Sequence, residues 1–357
     1  WTDVFVHDLD TATTTRVSVA SDGTQADGPS DSPAISSDGR HVAFRSAASN
    51  LVPGDTNAKG DVFLHDRVTG TTTRVSVASD GTQGIGAAPY PAVSSDGTSV
   101  TFSSTAANLF AGDTNSTADV FVHDLGNGTT TRVSIASDGA QANHQSTTSS
   151  ISAAGRIVTY QSLGSTLVPG DTNALNDVFV PDRDTGTTTR VSVGTDGTQA
   201  SSGAGGPTIS ANGRFVLFSS GAALTEPDTN STSDVFVHDL ESRTTTRISD
   251  SGTGAEGNNS SVAGSISSDG RYVAYESVAS NLVPGDTNQL ADVFVQDRTT
   301  GLTTRISLTS AGRQASYISY DPALSSDGSV VAFASDAPLM PGDSNGIADV
   351  FVFEPFA

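Results

Sequence analysis

The string Asp-Val-Phe-(Val/Leu) begins at Asp3, Asp61, Asp119, Asp177, Asp234, Asp292 and Asp349, at spacings of 58, 58, 58, 57, 58 and 57 residues. A fixed period of this size is the signature of a repeat architecture, in which each unit buries its apolar faces on its neighbours. Length alone would suggest two or three domains. The repeat instead runs through essentially all 357 residues, so 1–357 reads as a single domain of six repeats of 57–58 residues.

Each unit reads as four short strands. In the clearest copy, strand A is Pro33–Ser36, strand B His41–Arg45, strand C Asp61–His65 and strand D Thr72–Val77. Val, Ile, Phe and Thr dominate these runs, as strands prefer. Asp38 and Gly39 close a tight A–B turn, because Asp caps its own turn and Gly tolerates positive φ. No stretch keeps helical periodicity over three turns. Strands B and C are apolar at consecutive positions, as in Val42-Ala43-Phe44 and Val62-Phe63-Leu64. That pattern requires burial on both faces. Radially stacked propeller blades provide it. A β-solenoid is the rival, but its repeats are much shorter and it does not use antiparallel hairpins.

The unit S-x-D-G-R-x-V-A-F-x-S, D-V-F-V-x-D, T-R-V-S resembles the WD40-like repeat of TolB-type β-propellers, a bacterial, extracytoplasmic family. The resemblance spans all six repeats and implies the fold more than the function. The small α/β domain that accompanies the TolB propeller has no counterpart in these residues. The expected fold is all-β: a six-bladed β-propeller of four-stranded antiparallel blades. Strand A and strand D motifs number six each, but strand C motifs number seven. The sequence begins with C and D and ends with A, B and C. Strands from both termini are therefore expected to share one blade and close the ring, removing sheet edges. One strand C copy is then surplus. A seven-bladed ring with its upstream part missing is the alternative.

Composition narrows the function. The chain carries 39 Asp+Glu against 17 Lys+Arg, a formal net charge of −22. Nucleic-acid backbones and anionic membranes call for a cationic footprint, so neither is an expected partner. There is no Cys, which excludes thiolate metal sites and thiol nucleophiles. No apolar run approaches the roughly 18 residues of a membrane span, so membrane insertion is not expected. The only Met is Met340, and residue 1 is Trp. A processed or excised chain is therefore expected. We read it as secreted, extracellular or at the cell surface, with the periplasm as the other option.

In an A-B-C-D blade, the D–A and B–C connections share one face. Here they are the long ones, and long ordered loops are where function resides. Every B–C loop carries Asp-x-Asn-x-x-x-Asp. The copies are Asp55, Asn57 and Asp61; Asp113, Asn115 and Asp119; Asp171, Asn173 and Asp177; Asp228, Asn230 and Asp234; Asp286, Asn288 and Asp292; Asp343, Asn345 and Asp349. Oxygen ligands at this spacing make the loops candidates for structural Ca²⁺. Asx-turns that shape the loop before strand C are the other reading, and the favoured one. No organic cofactor is expected. The strand D Arg is expected to pair with an Asp, for instance Asp66. His-Asp pairs end several C strands and read as strand-end polar residues. His144, Glu256, Arg313, Tyr90, Tyr317 and Tyr320 depart from the repeat on the loop face and are the candidate ligand-binding residues.

No nucleophile elbow, metalloprotease helix or phosphate loop is present. The expected function is a non-catalytic recognition or scaffold module that binds a protein or cell-surface glycan, alone or within a larger assembly. A multivalent, cation-assisted lectin is the second expectation. A hydrolase or lyase with an asymmetric site at the channel mouth is the third.

Overall fold

A computed structural model describes residues 1–354; the last three positions of the expected 1–357 domain lie outside the described residues. The described chain is all-β. A first hairpin pairs β1 (Phe5–Asp8) with β2 (Thr13–Arg16). The next sheet holds β3 (Ser30–Ile35), β4 (His41–Ser46), β5 (Asp61–Asp66) and β6 (Thr71–Arg74). It is followed by β7 (Ala92–Val93), β8 (Ser99–Ser104), β9 (Asp119–Asp124) and β10 (Thr129–Arg132). Then come β11 (Ser146–Ile151), β12 (Val158–Ser162), β13 (Asp177–Asp182) and β14 (Thr187–Arg190). The fifth sheet holds β15 (Ala204–Ile209), β16 (Phe215–Ser220), β17 (Asp234–Asp239) and β18 (Thr244–Arg247). The sixth holds β19 (Ser261–Ile266), β20 (Tyr272–Ser277), β21 (Asp292–Asp297) and β22 (Leu302–Arg305). The last holds β23 (Ser319–Leu324), β24 (Val331–Ser335) and β25 (Asp349–Phe353).

Six sheets begin with a strand A, and these are the six propeller blades. Five contain all four antiparallel strands; β23–β25 contains A, B and C. Among the described residues, no strand pairing makes the expected sharing of one blade by both termini. β1 and β2 form a sheet of their own, and β25 pairs with β24. The reason is local. Val17 N donates to Val4 O (2.9 Å) and Ser30 N to Thr2 O (2.9 Å). Val4, Val17 and Ala26 pack with Val42, Phe44, Leu51 and Phe63 in one buried cluster. The hairpin thus already has a neighbouring blade to pack on, and the surplus strand C copy belongs to it.

By internal contacts the chain divides into two compact units, Trp1–Ala174 with Val180–Thr189, and Leu175–Phe179 with Arg190–Ala357. Within the first, Ala43, Val62, Leu64 and Val75 of one blade meet Val100, Phe102 and Phe121 of the next. Within the second, Leu217, Val235, Val237 and Ile248 meet Val273, Tyr275 and Phe294. In the five four-stranded blades both faces of the inner strands are therefore buried, as the consecutive apolar residues demand, whereas Phe5 of β1 and Val350 and Val352 of β25 are exposed. Facing rings on strands B and C stack inside a blade, Phe44 on Phe63 and Phe218 on Phe236, each at 5.9 Å between centroids. The A–B turn closes as expected. Asp38 Oδ1 accepts from Ser36 Oγ (2.5 Å) and Arg40 N (3.0 Å), while Gly39 sits at φ +70°.

Consecutive blades are also tied by a polar contact. Thr72 Oγ1 donates to Val19 O (2.5 Å), and Ser21 Oγ accepts from Thr72 N (2.9 Å). Thr130, Thr188 and Thr245 make the same pair of bonds one blade further on.

Candidate functional site

The repeated Asp and Asn residues converge where strand C begins. Asp61 is fully buried and Asp55 nearly so. Asp61 Oδ1 accepts from Ser76 Oγ (2.7 Å), and its Oδ2 accepts from Gln83 Nε2 (3.1 Å) and Asn57 Nδ2 (3.1 Å). Gln83 Nε2 also donates to Asp55 Oδ1 (2.8 Å). Asn57 donates to Gly84 O (2.8 Å) and accepts from Lys59 N (2.8 Å), which is the Asx-turn geometry. The Arg74 guanidinium closes the group, with Nη1 3.5 Å from Asp55 and 3.7 Å from Asp61. Strand D thus brings its own cation to the loop. Burial pushes the Asp61 carboxyl up, while its Ser76 and Gln83 hydrogen bonds pull it back down.

The cage recurs. Arg132 stands 3.8 Å from Asp113 and 3.6 Å from Asp119, with Gln141 bridging both carboxylates. Arg305 stands 3.6 Å from Asp286 and 3.5 Å from Asp292, with Gln314 bridging. Asp177 receives Ser192 and Gln199 and lies 3.7 Å from Arg190. Asp3, Arg16 and Gln25 make a smaller version in the first hairpin. Asp343, Asn345 and Asp349 lie more openly, with one bond of 3.4 Å between Asn345 and Asp349.

The Arg partner differs from the expected one. Strand register places Arg74 opposite Phe63, near the start of strand C, whereas Asp66 sits opposite Thr71 at its end. Asp66 is instead gripped by Arg40 of the A–B turn, at 3.0 and 2.7 Å. That fork holds the Asp66 carboxyl well below the usual carboxylate range. The neighbouring His65 is buried and bonds Thr72 Oγ1 through Nδ1 (2.9 Å); burial lowers its pKa. His123 and His238 repeat that bond to Thr130 and Thr245. These His-Asp pairs face two different partners and do not form dyads.

Comparison with known proteins reaches the fold. No family model matches the chain, and no curated protein matches it. Solved structures do. An oligogalacturonate lyase in complex with manganese aligns with a TM-score of 0.57 at 15% identity, over 99% of this chain and 81% of that one. The β-propeller domain of the Trilobed protease from Pyrococcus furiosus aligns with a TM-score of 0.54 at 11% identity, over 93% and 83%. TolB from Acinetobacter baumannii aligns with a TM-score of 0.47 at 16% identity, over 85% of this chain; the chain spans 59% of its length. The fold is a β-propeller. At these identities the likeness carries nothing about activity.

The remaining candidates are dispersed. Tyr90 and Tyr317 are exposed, at 51% and 58%. His144 and Arg313 are also exposed. Tyr320 is half-buried, and its hydroxyl lies 3.4 Å from Asp336. Glu256 alone of the six joins a cluster, with Asp228 and Asp234.

Two clefts were not foreseen. One, of about 520 Å³, is lined by Asp124, Arg132, Arg156, Pro181, Arg183 and Thr188, on the side of the short turns. Pro181 stands where four other units place His, and where β21 has Gln296 and β25 Phe353. That substitution was the available signal. Its charges are paired, Arg183 with Asp124 and Arg156 with Asp182, both at 2.6 Å. The other, of about 570 Å³, lies on the long-loop side and is lined by Thr195, Asp196, Thr198, Gln199, Thr225 and Glu226, among others.

Proposed function

We propose that this chain is a non-catalytic recognition module of a secreted or cell-surface protein. It binds a protein or cell-surface glycan through its long D–A and B–C loops. One observation carries the reading. The chemically capable groups that the repeat supplies are spent on one another. Arg is held in the Asp cages, His bonds to Thr, and the strand-end Asp is gripped by the turn Arg. A set copied in blade after blade builds blades; it does not build one asymmetric reaction centre. The surface left over on the long-loop side is acidic and rich in hydroxyl and amide groups, and its cleft near Thr195 has that character.

A lectin is the second reading, favoured by the exposed rings of Tyr90 and Tyr317 on D–A loops. Sugar faces stack on such rings as other apolar faces do. The test is binding of the immobilised chain to a glycan array and to the secreted proteins of its source, repeated with Tyr90→Ala and Tyr317→Ala. Specific binding that is lost in the loop variants supports recognition, and binding to glycans supports the lectin. Turnover of a polysaccharide or peptide substrate, abolished by a substitution at the channel mouth, would overturn both in favour of an enzyme.

A further inference from the structure

The unit of β15–β18 breaks the cage chemistry at two paired positions. In the other units the short bridge after strand D joins an apolar residue to Gln: Val19 to Gln25, Val77 to Gln83, Ile135 to Gln141, Val193 to Gln199 and Leu308 to Gln314. Here it joins Asp250 to Glu256. The B–C loop is also one residue shorter, so Pro227 directly precedes Asp228 where Gly54 precedes Asp55.

These changes turn the arginine aside. Arg247 Nε donates to Asp250 (2.6 Å) and Nη1 to Pro227 O (2.8 Å). Glu256 has no amide to offer. It accepts from Thr229 N (3.0 Å) and Thr229 Oγ1 (2.7 Å) and lies 3.4 Å from Arg247 Nη1. Asp234 is only 1% exposed. Its Oδ1 accepts from Ser249 Oγ (2.6 Å), but its Oδ2 has no hydrogen-bond donor. The nearest cationic nitrogen, Arg247 Nη1, is 3.9 Å away. In the cage around Asp61 the same oxygen accepts from both Gln83 and Asn57. A buried carboxylate oxygen without a donor is costly, and it calls for a partner that no neighbouring side chain supplies.

We propose that Asp228, Asp234 and Glu256 form a Ca²⁺-type divalent-cation site, the single such cluster among the described residues and absent from the Gln-bearing cages. Each offers one carboxylate oxygen, and the three oxygens lie within 4.8 Å of one another. Ca²⁺ holds oxygens at about 2.3–2.6 Å, so oxygens around one ion stand up to about 5 Å apart. All-oxygen donors select a hard cation. Water supplies the rest of the roughly six to eight ligands. The charge balance agrees. Asp234, Asp250 and Glu256 stand within 3.9 Å of the single Arg247, with Asp228 beside them, whereas Asp55 and Asp61 face Arg74.

The test titrates the chelator-treated full chain with CaCl₂ by calorimetry and follows its melting temperature. One equivalent of Ca²⁺ binds, with a rise in melting temperature. Glu256→Gln, which installs the residue used by the other cages and so preserves folding, abolishes both the binding and the rise. Gln83→Glu serves as the control for folding with an added acid. No bound Ca²⁺, unchanged stoichiometry in Glu256→Gln, or about six equivalents per chain would each overturn the assignment.

Discussion

The cage around Asp61 and the cage around Asp234 share strands, register and a central arginine, yet they handle charge in opposite ways. Around Asp61, an amide donates to two buried carboxylates, and a guanidinium stands 3.5 and 3.7 Å from them as an ion pair. Around Asp234, Glu256 replaces the amide and Asp250 draws the guanidinium away. The scaffold tolerates both because the apolar stacking of strands B and C is unchanged. The Phe218–Phe236 and Phe44–Phe63 pairs have the same 5.9 Å separation. The propeller framework is thus held by hydrophobic packing, and the polar cage is a layer that can be re-tuned one blade at a time.

The arginines give the largest expected effect. Removing one partner of a buried ion pair costs about 3–5 kcal/mol, because the other charge stays buried. Arg74→Ala should fall in that range by urea denaturation. Arg247→Ala should cost more at pH 7, where three acids lose their one cation, and the excess should shrink near pH 5. Equal losses at both pH values would erase the distinction between the cages.

Exchanging the bridge residue comes next. Gln83→Glu removes donors to Asp55 and Asp61 and adds a charge, and hydrogen bonds to charged groups are worth about 1.5–3 kcal/mol each. A loss of about 2–3 kcal/mol is expected at pH 7. Glu256→Gln in EDTA should shift stability in the opposite direction. If both changes destabilise, the Glu256 cage is adapted to its acid by means other than a cation.

How much of this was legible in the sequence follows from where each signal sits. The 58-residue period, the Asp38–Gly39 turn and the doubly apolar strands B and C are local patterns, and each appears in the structure as read. The Asp-x-Asn-x-x-x-Asp spacing marks a cluster of oxygens, but what faces them comes from elsewhere. Arg74 arrives through strand pairing and Gln83 through the bridge to Val77. Loop spacing alone holds neither. Glu256 was visible as a departure from the repeat. Its consequence was not, because that depends on Asp250 across the bridge and on the carbonyl of Pro227. The separate first hairpin was hidden for a similar reason: counting strands shows a surplus and does not show which neighbour it packs on.

pH separates the two kinds of buried acid with opposite signs. Asp234 is raised from 3.8 to about 6 in the fold. The fold therefore binds its proton more tightly than the unfolded chain does. Its stabilising contribution is complete below about pH 4 and is lost as pH rises towards 6. Asp234→Asn should flatten that segment of the stability curve in EDTA.

The smallest effect belongs to the turn forks. Asp297, held by Arg271 at 3.1 and 2.8 Å, is lowered from 3.8 to about 2. Its contribution is present above the unfolded value and is lost as pH falls from about 4 through 2, the reverse of Asp234. The Arg271 side chain is 43% exposed, so solvent screens the pair. Arg271→Ala should therefore cost clearly less than Arg74→Ala at pH 7, measured as a shift of the urea midpoint that diminishes in high salt. A cost comparable to Arg74→Ala would mean that the short-turn side bears as much of the polar stabilisation as the cages do. The contrast drawn between buried cage and exposed fork would then fail.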